Sequence, residues 1–255
     1  MQIRDKLNSL ENYKSSISFN KKTIDEWKSE INSLYQDEEA SIQKYARPNL
    51  EVIESTRESI LIYQQDVLFA TYSAGYPIDV FKNEYIKALE AMYNAWSHLG
   101  GYSTMLNMLS IAIILDLRKA QSELYKMFCD PKRQENFEIK DHLLDILFQY
   151  CGFENKVHMD FMIAKPYAIL REVYELAQND KIIAIKKLKS YLQKNWFSAL
   201  KRQDLIQETH KSPYGTHCGY WSFESGALVK ILGMDDTLLK DQQYYPYDLV
   251  HYHKS

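Results

Sequence analysis

Glycine is scarce in this chain, and no segment shows the two-residue alternation of a half-buried strand. Eight of the 255 residues are glycine, which is about half of the usual share of roughly 7%. Most segments instead repeat apolar residues every three to four positions, the spacing of an amphipathic helix. These observations predict an all-α fold: a multi-helix bundle of two packed helical layers with no significant sheet.

Cysteines and long apolar runs are also few. The three cysteines are odd in number and widely spaced, which argues against a disulfide framework and fits a reducing compartment. The longest apolar stretch, Ile111–Leu115, is followed by Asp116 and is far too short to span a bilayer. The N-terminus is charged from Arg4 onward and lacks the apolar region of a signal peptide. We therefore expect a soluble, cytoplasmic protein without a membrane partner.

A strong positive charge and the common catalytic motifs are absent. The net charge is −3 and the pI is about 6.2, which disfavours nucleic-acid binding through bulk charge. The sequence contains no GxSxG elbow, P-loop, GxGxxG or HExxH. His210, His217 and Cys218 lie close together, as do His251 and His253, but these spacings do not match a closed zinc site. We expect no direct nucleic-acid contact, no cofactor and no metal.

A polar, proline-containing stretch at 130–136 divides the helical pattern. We expect an N-terminal helical module over 1–130 and a C-terminal helical module over 131–255, which carries the sequence GYWSFESGALVKILGMDD. Because the linker is short, we expect the modules to pack as one unit. A polar break at Asn20 predicts that the first helix ends before it. Near-continuous hydrophobicity from Tyr102 to Phe128 predicts one long central helix.

Two carboxylates fall in the middle of apolar helix faces. On a helical wheel at 100° per residue, Glu224 lies at the centre of the apolar face of 220–232, and Asp116 lies within that of 105–128. A charged and unpaired carboxylate there would cost several kcal/mol. Each therefore needs hydroxyl donors, a basic partner or a raised pKa, and twenty tyrosines make hydroxyls abundant. We interpret both as structural buried carboxylates; the alternative is a pair of poised acids in a buried site.

Charge is unevenly distributed along the chain. Residues 51–150 carry nine basic and fourteen acidic residues, whereas 181–202 carry seven basic residues and no acidic one. Helical spacing places Ile182, Ile185, Leu188, Leu192 and Trp196 on the inner face of that second stretch and leaves the lysines outside. Such runs are usually solvated faces, and the alternative is a docking surface for a partner of opposite charge.

The C-terminal segment from His210 to Val250 is dense in glycine and aromatic residues. Four of the eight glycines lie within nineteen residues of it, which indicates turns or close backbone approaches. Its sequence GYWSFESGALVKILGMDDTLLKDQQYYPYDLV resembles the C-terminal signature of the PoNi-type immunity proteins. The N-terminal half is similar to the family's other module, in which YSAGYP, here Tyr72–Pro77, precedes a helix with a tyrosine and Ala-Leu. The resemblance covers both halves of the chain.

This resemblance implies a bacterial immunity protein encoded beside a secreted DNase toxin of the PoNe type, which is related to the PD-(D/E)xK nucleases. Such a protein prevents self-intoxication during interbacterial competition by binding the toxin, and it is not an enzyme. Because a DNA-binding cleft is expected to be positive, an acidic surface is its natural complement. The candidate toxin-binding residues are Asp235, Asp236, Asp241, Asp248, Tyr214 and Tyr244. The alternative function is a helical small-molecule-binding or hydrolytic protein that uses Asp116, Glu224 and a histidine in a buried site.

Overall fold

A computed structural model describes residues 2–252, and this part of the chain is helical and contains no β-strand. The prediction of an all-α fold is therefore confirmed. Its α-helices are α1 (Leu10–Glu39), α2 (Asn49–Ser73), α3 (Ile78–Ala95), α4 (Tyr102–Ile114), α5 (Arg118–Phe128), α6 (Pro131–Gln134), α7 (His142–Tyr150), α8 (Ala164–Ala177), α9 (Lys181–Tyr191), α10 (Phe197–Arg202), α11 (Phe223–Leu232) and α12 (Tyr247–Val250). A π-helical turn spans Leu192–Trp196, and short 3₁₀ turns span Thr209–Lys211 and Thr237–Leu239.

The chain divides into two compact units, and the division differs from the expected boundary near residue 130. Unit 1 consists of the chain through Trp96 together with Thr209–Tyr220. Unit 2 consists of Ser97–Glu208 and the chain from Trp221 onward. The 209–220 segment thus belongs to the unit built from the first three helices, although it follows α10 in the chain. That the two modules pack as one unit stays a prediction.

Unit 1 is built on two long helices and a shorter one, with α2 packed against both α1 and α3. Ser9 caps the N-terminus of helix α1: its hydroxyl accepts a hydrogen bond from the backbone N–H of Asn12, as expected of an N-cap serine. Apolar residues at helical spacing, including Ile17, Ile24 and Ile31, are buried on one face of α1. The predicted break at Asn20 is wrong, because Asn20 is buried within the continuous helix.

In unit 2, helix α4 packs against α5 and α11, and the predicted single helix from Tyr102 to Phe128 is wrong. The chain turns after Ile114, where Asp116 adopts a φ of 52°. The backbone N–H of Leu117 donates a hydrogen bond to the carbonyl oxygen of Ala112 at 2.8 Å. The ammonium group of Lys230 donates one to the carbonyl oxygen of Ile114 at 2.5 Å. These donors satisfy carbonyl groups that the end of a helix leaves without partners.

The basic stretch of unit 2 is interrupted as well. Its residues form α9, the π-helical turn and α10 rather than one regular helix. Ile185, Leu188, Leu192 and Trp196 are buried as predicted, but Ile182 is exposed. The π-helical turn changes the angular spacing of the helix and re-aims the side chains that follow it.

No helix in residues 2–252 is both long enough and apolar enough to cross a membrane.

We predict that Gly75→Ala destabilises unit 1 by roughly 3 kcal/mol. Gly75 has a φ of 84°, and a Cβ there would overlap the backbone carbonyl oxygen of Gln2, where the N-terminal chain crosses the end of α2. The matched control is Gly100→Ala, which has a φ of 74° but open space around the added methyl group; it should cost about 1 kcal/mol. Urea unfolding monitored by circular dichroism measures both changes. Equal losses for the two variants would contradict the close approach at Gly75.

Candidate functional site

A buried histidine attaches the 209–220 segment to the rest of unit 1. The ring of His217 is almost fully buried, and its Nε2 lies 2.8 Å from Oδ2 of Asp5. Its Nδ1 lies 2.8 Å from Oγ1 of Thr209. The Ser73 hydroxyl donates to the carbonyl oxygen of Cys218 at 2.7 Å. These bonds hold the segment at both ends of its turn.

The turn between these ties carries an exposed tyrosine. Tyr214 is 86% exposed. The next residue, Gly215, has a φ of 63°, and its carbonyl oxygen accepts hydrogen bonds from the side chains of Asn8 at 3.1 Å and Ser16 at 3.4 Å. Tyr214 therefore projects from a turn whose backbone is anchored to helix α1.

A surface cavity of about 360 Å³ lies between this turn and helices α1 and α2. Its lining is almost entirely uncharged: hydroxyl and amide groups come from α1, and aromatic rings come from all three segments. The lining residues are Asn12, Ser15, Ser16, Phe19 and Asn20 of α1, Tyr63 and Asp66 of α2, and Tyr214, Gly215, Thr216 and Cys218 of the 209–220 segment. We call this site the Asp66 pocket.

Asp66 contributes the one charge among the described residues that line the pocket. It forms no ion pair with any residue in 2–252. Burial raises its pKa from 3.8 to about 6, and the nearby thiol of Cys218 opposes part of that rise. A carboxylate held without a cation in a partly desolvated site is poised to bind one.

Glu224 is a buried acid of unit 2, as the helical wheel indicated. It is 1% exposed, and its Oε1 accepts hydrogen bonds from the hydroxyl of Tyr191 at 3.0 Å and from that of Ser222 at 2.5 Å. Burial raises the pKa of Glu224, and these hydroxyl donors oppose the rise. The donors satisfy the carboxyl group where it lies, so Glu224 supports the packing of α11.

The prediction that Asp116 is buried is wrong. Its side chain is 61% exposed and forms an ion pair with Nε of Arg118 at 2.7 Å. A helical wheel assumes an unbroken helix, and the turn between α4 and α5 moves this residue off the apolar face. The structure therefore does not bring Asp116 and Glu224 into one buried site with a histidine.

The acidic residues of the C-terminal segment fall into two groups. Asp235, Asp241 and Asp248 are exposed, as a docking surface requires. Asp236 is buried, so its prediction as a surface acid is wrong; its carboxylate accepts from the hydroxyl of Tyr245 at 2.6 Å and lies 2.8 Å from Nε2 of His251. We assign Asp236 a structural role, because its buried carboxylate is satisfied by these partners within the protein.

The two candidate aromatic residues also differ. Tyr214 is exposed, whereas Tyr244 is half-buried and stacks on Phe197, with ring centroids 5.3 Å apart and planes inclined by 11°. Tyr244 therefore contributes its ring to the packing of unit 2. Of the two, only Tyr214 presents a ring to a partner.

The histidines and cysteines do not assemble a metal site within the described residues, which contain no group of three or more potential ligands. His217 and Cys218, adjacent in sequence, have separate partners: the His217 ring bonds to Asp5, and the Cys218 thiol donates to the carbonyl oxygen of Thr216 at 3.4 Å.

Comparison with known proteins gives two family matches that together span most of the chain. Residues 4–126 match a family described as PoNe immunity protein (PoNi), N-terminal. Residues 139–249 match PoNe immunity proteins (PoNi), C-terminal. No curated protein matches the chain. The solved structure of protein PA2201 from Pseudomonas aeruginosa is similar, with 18% identity, a TM-score of 0.58, and coverage of 99% of this chain and 98% of that chain; at this identity the likeness shows the fold alone.

Replacing Glu224 tests whether this buried acid stabilises the fold. We predict that Glu224→Ala lowers the free energy of unfolding by roughly 3 kcal/mol, because it leaves a cavity and removes the acceptor of two buried hydroxyl groups. The control is Asp116→Asn, an exposed site where asparagine tolerates the positive φ, and its effect should stay within about 0.5 kcal/mol. Urea unfolding at neutral pH measures both, and a neutral Glu224→Ala would contradict the structural role.

Asp66, which has no cationic partner among the described residues, makes the opposite prediction. Because the pKa of Asp66 is raised in the folded state, its protonated form favours folding; that stabilisation is complete below about pH 4 and is lost as the pH rises through about 6. Asp66→Asn should therefore be more stable than the wild type by roughly 2 kcal/mol at pH 8, and the difference should shrink as the pH falls toward 4.

The matched control is Glu54→Gln, which removes the same charge from an exposed position of the same helix. Its effect on stability should be small at both pH values. Urea unfolding at pH 8 and pH 4.5 separates the two variants. A destabilised Asp66→Asn at pH 8 would show that the carboxylate supports the fold.

Proposed function

The chain belongs to the family of PoNe immunity proteins (PoNi), and we propose on that premise that it binds a cognate DNase toxin and neutralises it without catalysis. The observation that carries the proposal is the pair of family matches, one over the N-terminal and one over the C-terminal part of the chain. The mechanism follows from what an inhibitor of a nuclease must do. It occludes the DNA-binding cleft or holds the nuclease inactive, and it protects the producing cell by a stoichiometric complex.

Electrostatics supports this mechanism. A cleft that binds DNA is expected to carry positive charge, because it neutralises phosphate groups. Asp241 and Asp248 are exposed acids of the C-terminal segment, as is Asp235. Acidic groups on the inhibitor accelerate the encounter with a positive surface and fix its orientation.

The seven basic residues of 181–202 do not match a positive cleft by themselves. Two of them have acidic partners within unit 2: Lys187 lies 2.6 Å from Glu172, and Lys201 lies 2.8 Å from Glu208. This pairing offsets part of the positive charge. A solvated face is the interpretation that these contacts favour.

The alternative function, a hydrolytic or small-molecule site, requires Asp116, Glu224 and a histidine to lie together, and they do not. Asp116 is exposed and paired with Arg118, while Glu224 is buried with Tyr191 and Ser222. No contact in the described chain joins the two acids to a histidine.

Co-expression with the nuclease encoded beside this gene tests the proposal. We predict that the protein restores growth of cells that produce the nuclease, co-purifies with it and abolishes DNA cleavage at an equimolar ratio. A protein that neither restores growth nor co-purifies would refute the proposed function.

The acidic surface makes a separate prediction. The double variant Asp241→Lys and Asp248→Lys should weaken toxin binding by about tenfold at low salt, and by less at high salt, where such attraction is screened. The control reverses two exposed acids of helix α1, Asp25→Lys and Glu38→Lys, and gives the same net charge. Isothermal titration calorimetry at two salt concentrations compares them; equal losses would show that total charge, not this surface, sets the affinity.

A further inference from the structure

The Asp66 pocket combines features that suit one kind of side chain. Its single charge is negative, and its remaining polar groups include amide and hydroxyl oxygens, such as those of Asn12, Ser16 and Asn20. Phe19 and Tyr214, both strongly exposed, stand among its lining residues. Carboxylate and amide oxygens accept hydrogen bonds, and aromatic faces attract cations.

The carboxylate of Asp66 is held where it costs stability. It is half-buried, no described basic group pairs with it, and burial raises its pKa to about 6. The buried acids Glu224 and Asp236 each have hydroxyl or imidazole partners within hydrogen-bond distance. Asp66 has the thiol of Cys218, a weak donor, as its side-chain partner and no cation. An acid without a charged partner beside a cavity has the character of a binding group, since functional sites retain groups that the fold alone would not.

The wall of the pocket is preorganised. The backbone of the 209–220 segment is fixed at Gly215 by Asn8 and Ser16, and at Cys218 by Ser73. A rim that is already ordered loses little conformational freedom when a ligand binds. Tyr214 therefore offers its exposed ring from a fixed position, which is the character of a hot-spot tyrosine.

We propose that the Asp66 pocket receives an arginine side chain of the protein partner, whose guanidinium group pairs with the Asp66 carboxylate and stacks against the aromatic rim. Arginine fits better than lysine because its planar, weakly hydrated fork donates several hydrogen bonds in one plane and stacks on aromatic rings. A DNA-cleaving partner carries basic side chains at its DNA-binding surface. This inference rests on the proposed function for the identity of the partner, but the chemistry of the pocket can be tested without the toxin.

The first experiment titrates the full chain with N-acetyl-arginine amide and follows the side-chain amide signals of Asn12 and Asn20 by NMR. The matched probe is N-acetyl-citrulline amide, which keeps the shape of arginine but carries no charge. We expect saturable binding of the arginine probe, with the citrulline probe at least about tenfold weaker. We expect Asp66→Asn to weaken the arginine probe by about tenfold as well, while Glu54→Gln, on the same helix, binds it as the wild type does.

The second experiment measures the affinity of the same variants for the toxin. Asp66→Asn and Tyr214→Ala should each weaken the complex by about tenfold, although we expect Asp66→Asn to be the more stable protein at pH 8. A variant that gains stability and loses affinity identifies a binding group, because a structural residue would lose both.

The outcomes separate the two proposals. If the citrulline probe binds as tightly as the arginine probe, or if Asp66→Asn binds arginine as the wild type does, the pocket is not an arginine site and the inference is overturned. If the toxin binds the wild type and Asp66→Asn equally, the inference is overturned while the proposed function stands. If the wild type does not bind the toxin at all, the proposed function fails, and the inference that the pocket serves that partner falls with it.

Discussion

The pairing of Asp5 with His217 is the contact on which the architecture of unit 1 depends. A carboxylate and an imidazole buried without partners would each cost free energy, yet here they lie 2.8 Å apart. The two residues are separated by 212 positions in the chain, so their contact closes unit 1 around a segment that the chain supplies late. Thr209 bonds to the other ring nitrogen of His217 and thereby orients the imidazole. The segment held in this way carries Tyr214 and lines the Asp66 pocket together with helices α1 and α2.

Much of the fold could be predicted because helical periodicity is a local property. The sparse glycine and the 3.6-residue pattern indicated the all-α class, and the wheel of 220–232 identified Glu224 because α11 is a regular helix. The same reasoning failed at Asp116, since a single residue with positive φ ends α4 and turns the carboxylate to solvent. It failed at Asn20 for the converse reason, because a polar residue can be buried inside a continuous helix.

The candidate site was harder to predict from the sequence than the fold, because it depends on contacts between distant segments of the chain. Acidity alone did not distinguish Asp236, which is bonded within unit 2, from Asp241, which is exposed. The Asp66 pocket needs three segments to meet, and no local pattern reports their meeting. One signal was present: polar residues recur every four positions of α1, at Asn12, Ser16 and Asn20, and mark the helix face that lines the pocket.

The route of the chain through the 209–220 segment bears on how such proteins can diversify. The first family match ends at residue 126 and the second begins at residue 139, so a division of the chain by sequence would fall between them. The structural units do not divide there, because unit 1 takes Thr209–Tyr220 from the second match. A chimera made from the N-terminal half of one protein and the C-terminal half of a relative would combine helices α1 and α2 with a foreign 209–220 segment. Unit 1 would then close only if the residues at positions 5 and 217 were compatible. The two halves of the sequence are therefore not independent structural units, because each supplies one end of a buried contact within unit 1.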